Sequence, residues 1–119
     1  MTIEGITPTT AREELTTGAA ATIMNPNIYE SLITTGGTAG SEDLNIGDGT
    51  DITVGQRKLV TLAVRTNASD VLNLDHANIH DAAGVAMTNC DLDAVDEFIL
   101  MEWNGVEWQE LYSDATITT

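Results

Sequence analysis

The sequence has few aromatic residues, few basic residues and a single cysteine, and each shortage excludes something. Aromatic residues make up 4% of the 119 residues, so the core is expected to consist mainly of Leu, Ile, Val, Ala and Met. The lone Cys90 excludes an intrachain disulfide and removes any need for an oxidising compartment. No apolar run approaches the length of a membrane span, and the N-terminus lacks the features of a signal peptide. These absences predict a soluble protein made in a cytoplasm.

Basic residues are especially scarce. Four Lys and Arg stand against 19 Asp and Glu, which gives a formal net charge of −15. Binding to nucleic acid needs clustered Lys and Arg along the phosphates, and attachment to an anionic membrane needs the same charges. We therefore expect neither nucleic acid nor a membrane as a partner. Strong acidity instead favours solubility and suppresses non-specific contacts.

Two prolines, ten glycines and abundant threonine favour short strands with many turns. A chain of this length forms one domain that buries roughly two thirds of its unfolded surface. Strands are predicted at residues 19–24, 28–35, 42–46, 57–64, 70–74, 85–87 and 90–92, and residues 115–119 are predicted as a final strand or a free tail. Residues 75–81 are expected to form a loop or a helical turn. Such even spacing is typical of an all-β antiparallel sandwich or barrel.

Residues 96–113 hold both tryptophans, the phenylalanine and one of the two tyrosines. Asn104 and Gly105 lie at the centre of this segment between two β-prone runs, which is the strongest short-range signal for a hairpin. A two-residue turn would place Glu102 opposite Glu107, and because like charges facing each other are destabilising, a longer turn remains open.

With a two-residue turn, side chains alternate between two faces of the hairpin. One face carries Ile99, Met101, Trp103, Val106, Trp108 and Tyr112. The other carries Phe98, Leu100 and Leu111 near the base and Glu102, Glu107 and Gln109 near the tip. Apolar residues on both faces are typical of a central hairpin or of an oligomer interface. The residues assigned to that core or interface are Phe98, Leu100, Met101, Trp103, Val106, Trp108, Leu111 and Tyr112.

Residues 1–18 are polar and rich in threonine. One interpretation is a short helix over residues 8–15, with Thr10 as N-cap and Glu13 closing a capping box. The other is a flexible arm that becomes ordered on contact with a partner. The sequence is therefore divided into an N-terminal arm at 1–18 and a β domain at 19–119.

His76 and His80 form the one pattern that resembles a metal site, since histidines at i and i+4 share a helical face. The pattern lacks the Glu of the HExxH motif, so a surface loop is the preferred interpretation. Cys90 paired with either histidine would suggest a nucleophile, but nothing nearby supports an oxyanion hole, and a small buried thiol is preferred.

Clustered carboxylates raise the question of calcium binding, since calcium takes several oxygen ligands. The acidic residues in question are Asp48, Asp51, Asp91, Asp93, Asp96 and Glu97. The EF-hand spacing is missing, and no aromatic-lined cleft accompanies a glycosidase-like pair. Solvated acidic loops are the preferred interpretation. We expect no enzyme activity, no cofactor and no metal.

A set of short motifs runs through the chain in a recognisable order. These are the glycine-rich segment at 34–44, Gly47-Asp48-Gly49-Thr50, the segment 54–60 with Gly55-Gln56-Arg57-Lys58, the segment 92–105 ending in Trp103-Asn104-Gly105, and Trp108. In this order they resemble a group of small bacteriophage virion proteins of heads and tails, over about residues 33–112. None of the motifs is an active-site signature.

The resemblance implies an all-β protein that works as a symmetric oligomer, a trimer, on a virion. Small free-standing members of the group are capsid decoration (cement) proteins, and longer members carry the same module in fibres or spikes. Because this chain has no repeats and no stalk, the resemblance favours a decoration protein that is made in the bacterial host cytoplasm and binds the major capsid protein on the outer surface of the head. The residues expected to contact the capsid are Ile3, Ile6, Arg12 and Leu15.

Two alternatives remain beside the decoration protein. One is a tail or head-fibre component built from the same module. The other is a small carbohydrate-binding β-sandwich in which Trp103 or Trp108 is a stacking platform for a sugar ring.

Overall fold

The computed structural model describes residues 12–18, 20–36, 40–46, 52–74 and 79–119. These residues form strands joined by turns and loops, with no helix among them. The strands are β1 (Arg12–Thr16), β2 (Thr22–Met24), β3 (Glu30–Thr35), β4 (Ser41–Ile46), β5 (Arg57–Arg65), β6 (Val71–Asn73), β7 (Ile79–His80), β8 (Asn89–Leu92), β9 (Phe98–Trp103), β10 (Trp108–Ser113) and β11 (Thr116–Thr118). The prediction of an all-β fold is confirmed.

The strands form two sheets, which we call the large sheet and the small sheet. The large sheet has six strands in the order β1-β3-β5-β9-β10-β7, and the small sheet has five in the order β11-β8-β6-β4-β2. From β1 to β6 the chain alternates between the sheets, so each strand from β3 onward pairs in parallel with the strand two positions earlier. Parallel neighbours cannot be joined by a tight hairpin, and here the connection runs through a strand of the opposite sheet.

The later strands pair differently. Strand β9 is antiparallel to both β5 and β10, and β8 is antiparallel to both β6 and β11, while β7 joins β10 in parallel. Both sheets are therefore mixed, and the predicted antiparallel sandwich or barrel is wrong in strand direction. Alternation along one strand predicts which side chains face inward, but it is the same for a parallel and an antiparallel partner.

The core lies between the inner faces of the two sheets. Its fully buried members include Ile33 on β3, Leu44 on β4, Leu62 on β5, Leu72 on β6 and Ile99 on β9. Trp103 and Trp108 are its aromatic residues in the described chain. The core is mainly aliphatic, as the scarcity of aromatic residues predicts.

Three predicted elements differ from the structure. Residues 12–15 belong to strand β1, which matches neither the short helix nor the flexible arm that the sequence left open for this segment; they pair with β3, and that tertiary contact overrides the local helix signal. Residues 85–87 form no strand, because they contribute an isolated bridge between His80 and Ala86. The two-residue strand β7 lies in a segment predicted as a loop, of which residues 75–78 are outside the described part.

The hairpin of β9 and β10 exists, but its turn is longer than two residues. Trp103 pairs with Trp108, so residues 104–107 form the connection. The Asn104 side-chain oxygen accepts the backbone N–H groups of Val106 and Glu107, both at 2.9 Å. Gly105 has a φ of 102°, a conformation that glycine adopts readily. The two-residue turn, which would pair Trp103 with Val106, is not formed, and the longer turn left open by the sequence is the one observed.

Candidate interaction surface

Two of the sequence motifs lie side by side at the tip of the large sheet. The Gly55 N–H donates to the Trp103 carbonyl, and the Trp103 N–H donates to the Gln56 carbonyl, both at 2.8 Å. Arg57, at the start of β5, reaches across to Glu102 on β9 with an N···O distance of 3.2 Å. The motif that opens β5 and the motif that ends β9 are therefore parts of one junction that holds the tip of the hairpin.

Lys58 turns to the opposite face and is fully buried. Its Nζ donates to Glu13 Oε2 at 3.1 Å and to the carbonyls of Asn25 and Ile28 at 2.8 and 2.6 Å. The same Glu13 oxygen accepts the Ser31 hydroxyl at 2.8 Å. Burial lowers the pKa of Lys58, and Glu13 opposes that shift. Lys58 thus fastens the edge strand β1 and the turn before β3 to the middle of the large sheet.

The outward face of the large sheet carries a second set of apolar side chains beside charged ones such as Arg57 and Glu102, and we call it the outer face. Its apolar side chains come from β3, β5, β9 and β10, and the small sheet packs against the opposite side of the large sheet. They are Leu32, Leu59, Ala63, Val64, Phe98, Leu100, Leu111 and Tyr112. Leu59 pairs with Leu100 across β5 and β9. The Phe98 and Tyr112 rings stack with centroids 5.7 Å apart. Apolar rows thus cross several strands on a face that the small sheet leaves open.

A depression of about 290 Å³ lies at one side of the outer face. It is lined by Glu14, Leu15, Thr16, Leu32, Thr34, Ala63 and Val64. The β3–β5 register shifts between Ile33 and Thr34, so Thr34 pairs with Val64 and one extra residue of β5 is accommodated. Such a bulge bends the strand locally, which is consistent with a hollow at this position.

A second bulge, in β10, decides where its aromatic residue points. Glu110 pairs with Met101 but Tyr112 pairs with Leu100, so Leu111 is the additional residue. Tyr112 is 66% exposed on the outer face and not on the face of Met101 and Trp108 that the sequence predicts for it. That prediction is wrong because a bulge shifts the alternation by one residue.

The predicted hairpin residues divide into three groups. Met101, Trp103 and Trp108 are core residues, and the two indoles meet edge to face with centroids 5.5 Å apart. Phe98, Leu100, Leu111 and Tyr112 belong to the outer face, and Val106 is exposed in the turn rather than on the core face. Because both indoles are buried, neither is an open platform for a sugar ring, which weighs against the carbohydrate-binding alternative.

The residues expected to contact a capsid have separate positions. Ile3 and Ile6 lie outside the described residues. Arg12 is exposed at the start of β1 and pairs with Glu30 at 3.0 Å. Leu15 is half-buried, packs against the core and also lines the depression. Of the predicted arm, residues 12–16 thus form an edge strand of the large sheet.

The residues considered for chemistry have structural contacts. His80 Nδ1 lies 3.0 Å from the Gly84 carbonyl and contacts the Glu107 carboxylate, which ties β7 to the hairpin turn. His76 is outside the described residues. Cys90 is fully buried, as predicted, and burial, reinforced by nearby acidic residues such as Glu110, raises its pKa to about 12. A thiol held in that state is a poor nucleophile.

The acidic run at residues 91–97 also has structural contacts. Glu97 Oε1 accepts the backbone N–H groups of Asp93 and Ala94 at 2.6 and 2.9 Å, which closes a tight loop before β9. Burial raises the pKa of Asp91, with a further contribution from Asp93. Asp48 and Asp51 lie outside the described residues. Among the described residues, no group of three or more His, Cys, Asp or Glu side chains has the arrangement of a metal site.

The geometry defines a two-layer β domain of mixed sheets with an open apolar face. In comparisons with known proteins, the sequence matches no protein-family model and no curated protein. Within the described ranges, no helix has the length and apolar character that crossing a bilayer requires.

Proposed function

We propose that this protein is a bacteriophage capsid decoration protein that binds the outside of the head as a homotrimer and stabilises the shell. The sequence motifs support this proposal by their resemblance to small virion proteins. The observation that carries it is the outer face of the large sheet. Contiguous apolar rows left open on a folded domain are typical of protein–protein contact sites.

The outer face carries two features of complementary shape. Tyr112 protrudes from β10, whereas the depression lies across β1, β3 and β5. Strand β9 separates β5 from β10, and Tyr112 is level with Leu59 whereas the depression lies at Ala63 and Val64 further along β5, so the two features are at separate positions on the outer face. In a ring of copies, Tyr112 of one subunit packs into the depression of the next. Head-to-tail contacts of this kind form a closed ring when a whole number of subunit rotations completes a full turn, as in a trimer.

Charge sets the conditions for this assembly. Each copy brings a net charge of −15, so the interface must gain from apolar burial more than it loses to repulsion. Salt screens the repulsion between exposed charges. The trimer therefore weakens at low ionic strength, and finished particles repel one another.

The other partner is the major capsid protein. Residues 1–18 are the segment proposed to contact the shell, through Ile3, Ile6 and Arg12, whereas Leu15 packs against the core and lines the depression. Three such segments on one trimer bind together, so a weak contact by each gives firm attachment through avidity.

The interface is tested by Tyr112→Ser, with Tyr29→Ser as the matched control. Tyr29 is 37% exposed but lies just before β3, off the outer face. Light scattering after size-exclusion chromatography is expected to give a trimer of 12.7 kDa chains for the wild type and Tyr29→Ser, and monomers for Tyr112→Ser. A monomeric wild-type protein at physiological salt contradicts the homotrimer.

Placement on the virion is tested by immunogold labelling of intact particles of the phage that encodes the chain. Label spread over the head supports decoration. Label confined to a tail or to one vertex moves the function to the fibre alternative. If no particle carries label, both the decoration function and the fibre function are contradicted.

A further inference from the structure

Two carboxylates are buried between the layers at one end of the small sheet. Glu42 on β4 is 1% exposed, and Asp70, immediately before β6, is 0% exposed. Ser41 pairs with Val71 in parallel, which places the two acids on neighbouring chain segments, offset by two residues. Both follow the alternation of the buried residues on their strands, so both point toward the large sheet. Diagonal neighbours of this kind have Cα atoms about 7–8 Å apart, within reach of a shared ligand.

Each carboxylate has one oxygen with hydrogen-bond donors and one without. Glu42 Oε1 accepts the Thr17 hydroxyl at 2.8 Å and the Gly36 N–H at 3.2 Å. Asp70 Oδ2 accepts the Thr35 hydroxyl at 2.6 Å. Glu42 Oε2 and Asp70 Oδ1 are buried and have no hydrogen-bond donor among the described residues. Because Thr35 and Gly36 are consecutive, both carboxylates lie at the same end of β3.

No Lys or Arg side chain compensates these two acids. Arg12, Arg57 and Lys58 pair with other glutamates. Arg65 donates its Nε–H to the backbone carbonyl of Asp70 at 3.1 Å and not to the carboxylate. These are the four Lys and Arg residues of the chain. Hydrogen bonds from Thr35 and Asn67 stabilise the ionised form of Asp70, and two neighbouring carboxylates that no Lys or Arg neutralises favour the binding of a cation from outside the chain between them.

We infer that Glu42 Oε2 and Asp70 Oδ1 bind one calcium ion between the two layers. The available ligands are oxygen atoms, which calcium prefers, whereas zinc sites use histidine and cysteine. Calcium also tolerates irregular geometry and completes its shell with carbonyls and water, whereas magnesium demands a near-ideal octahedron. The ion joins the end of β3 in the large sheet to β4 and β6 in the small sheet. It therefore links the layers by coordination as well as by apolar packing.

Direct binding to the wild-type protein is the first test. After removal of metals with EDTA, isothermal titration with calcium chloride is expected to show one ion per chain, and magnesium is expected to bind at least tenfold more weakly. At a hundredfold excess over the dissociation constant, calcium is expected to raise Tm by roughly 5–10 °C. Sodium chloride at the same ionic strength is the control for screening of the acidic surface. Equal effects of the two salts overturn the inference.

Variants locate the ion. Glu42→Gln and Asp70→Asn keep the side-chain shape and each remove one charged ligand, so each is expected to weaken calcium binding at least tenfold. Asp43→Asn is the matched control, because Asp43 is the next residue on β4 and is exposed. If Asp43→Asn weakens binding as much as Glu42→Gln does, the ion is held by general surface charge and the inference fails. If Glu42→Gln or Asp70→Asn does not fold, the inference is tested on the wild-type protein alone. The measurements are then the number of calcium ions bound per chain and the Tm in calcium chloride compared with sodium chloride at the same ionic strength.

Discussion

The two faces of the large sheet have similar residues and different surroundings. On β5, Leu62 points inward and is fully buried under the small sheet, whereas Leu59 points outward and is half-buried among its neighbours on an open face. Strand β9 repeats the contrast with Ile99 inside and Leu100 outside. Only the inner face is needed to hold the two layers of one chain together. The second apolar face is therefore best explained by a contact with another molecule.

The largest expected effect comes from two matched substitutions on β5, one on each face of the large sheet. Leu62→Ala leaves a cavity in a closed core and is expected to lower the free energy of unfolding by about 3–5 kcal/mol. Leu59→Ala is expected to cost about 1 kcal/mol in the monomer, but to weaken the proposed trimer. Urea unfolding at low protein concentration measures the first effect, and the concentration dependence of the molar mass measures the second. Equal losses of monomer stability contradict the distinction between the faces.

A smaller effect is expected where a charged residue belongs to the inner face. Glu13→Gln leaves the Lys58 ammonium buried without its anion and is expected to destabilise the protein by about 3 kcal/mol. Glu14→Gln, on the next residue and facing outward, is expected to change stability by less than about 0.5 kcal/mol. Thermal unfolding of both variants in one buffer gives the comparison. If Glu13→Gln and Glu14→Gln have the same Tm, the buried Lys58–Glu13 ion pair does not stabilise the protein.

The smallest effect extends the comparison to the inner face of the small sheet. The pKa of Cys90 rises from 9.0 to about 12 on folding, so between these values the folded state holds a proton that the unfolded state has lost. Stability is therefore expected to fall as pH rises above 9. Lys58, whose pKa is lowered, has the opposite slope below 10.5. Cys90→Ala keeps the Lys58 contribution, so the difference between wild-type and variant urea curves from pH 8 to 10.5 isolates the thiol.

Reaction with a thiol reagent at pH 8 provides a control for the same prediction. The native protein is expected to react far more slowly than the urea-unfolded protein, because the thiol is buried and protonated. A native thiol that reacts as fast as the unfolded one contradicts its placement in the core.

Much of the fold could be predicted from local patterns. Alternation and turn residues locate β3, β4, β5, β8 and the hairpin within a few residues, because a strand half-covered by a core must alternate. Strand partners could not be predicted in this way. The parallel pairs join residues far apart in sequence, such as Arg12 with Glu30 and Glu30 with Leu59, and no local pattern encodes such partners. The bulge that exposes Tyr112 could not be predicted either, because strand alternation assumes that no residue is inserted.

The buried polar residues were missed, although a signal for them exists. Lys58, Glu42 and Asp70 each share the parity of apolar residues that follow on the same segment, such as Val60, Leu44 and Leu72. Charged residues are usually placed on the surface by type alone. The alternation of side chains along the strand places all three on the core-facing side, and a charged residue on that side implies a buried partner. That inference from position would have indicated both the Lys58–Glu13 pair and the paired carboxylates.

The alternation of strands from β1 to β6 between the sheets has a mechanical consequence. In a sandwich whose sheets fold from separate stretches of chain, only side-chain packing resists separation of the layers. Here the backbone passes from one layer to the other after every strand from β1 to β5, so the layers are also connected covalently. A force that pulls them apart must extract strands from their hydrogen-bonded neighbours as well as break apolar contacts. The domain is thus built to carry tension across its thickness.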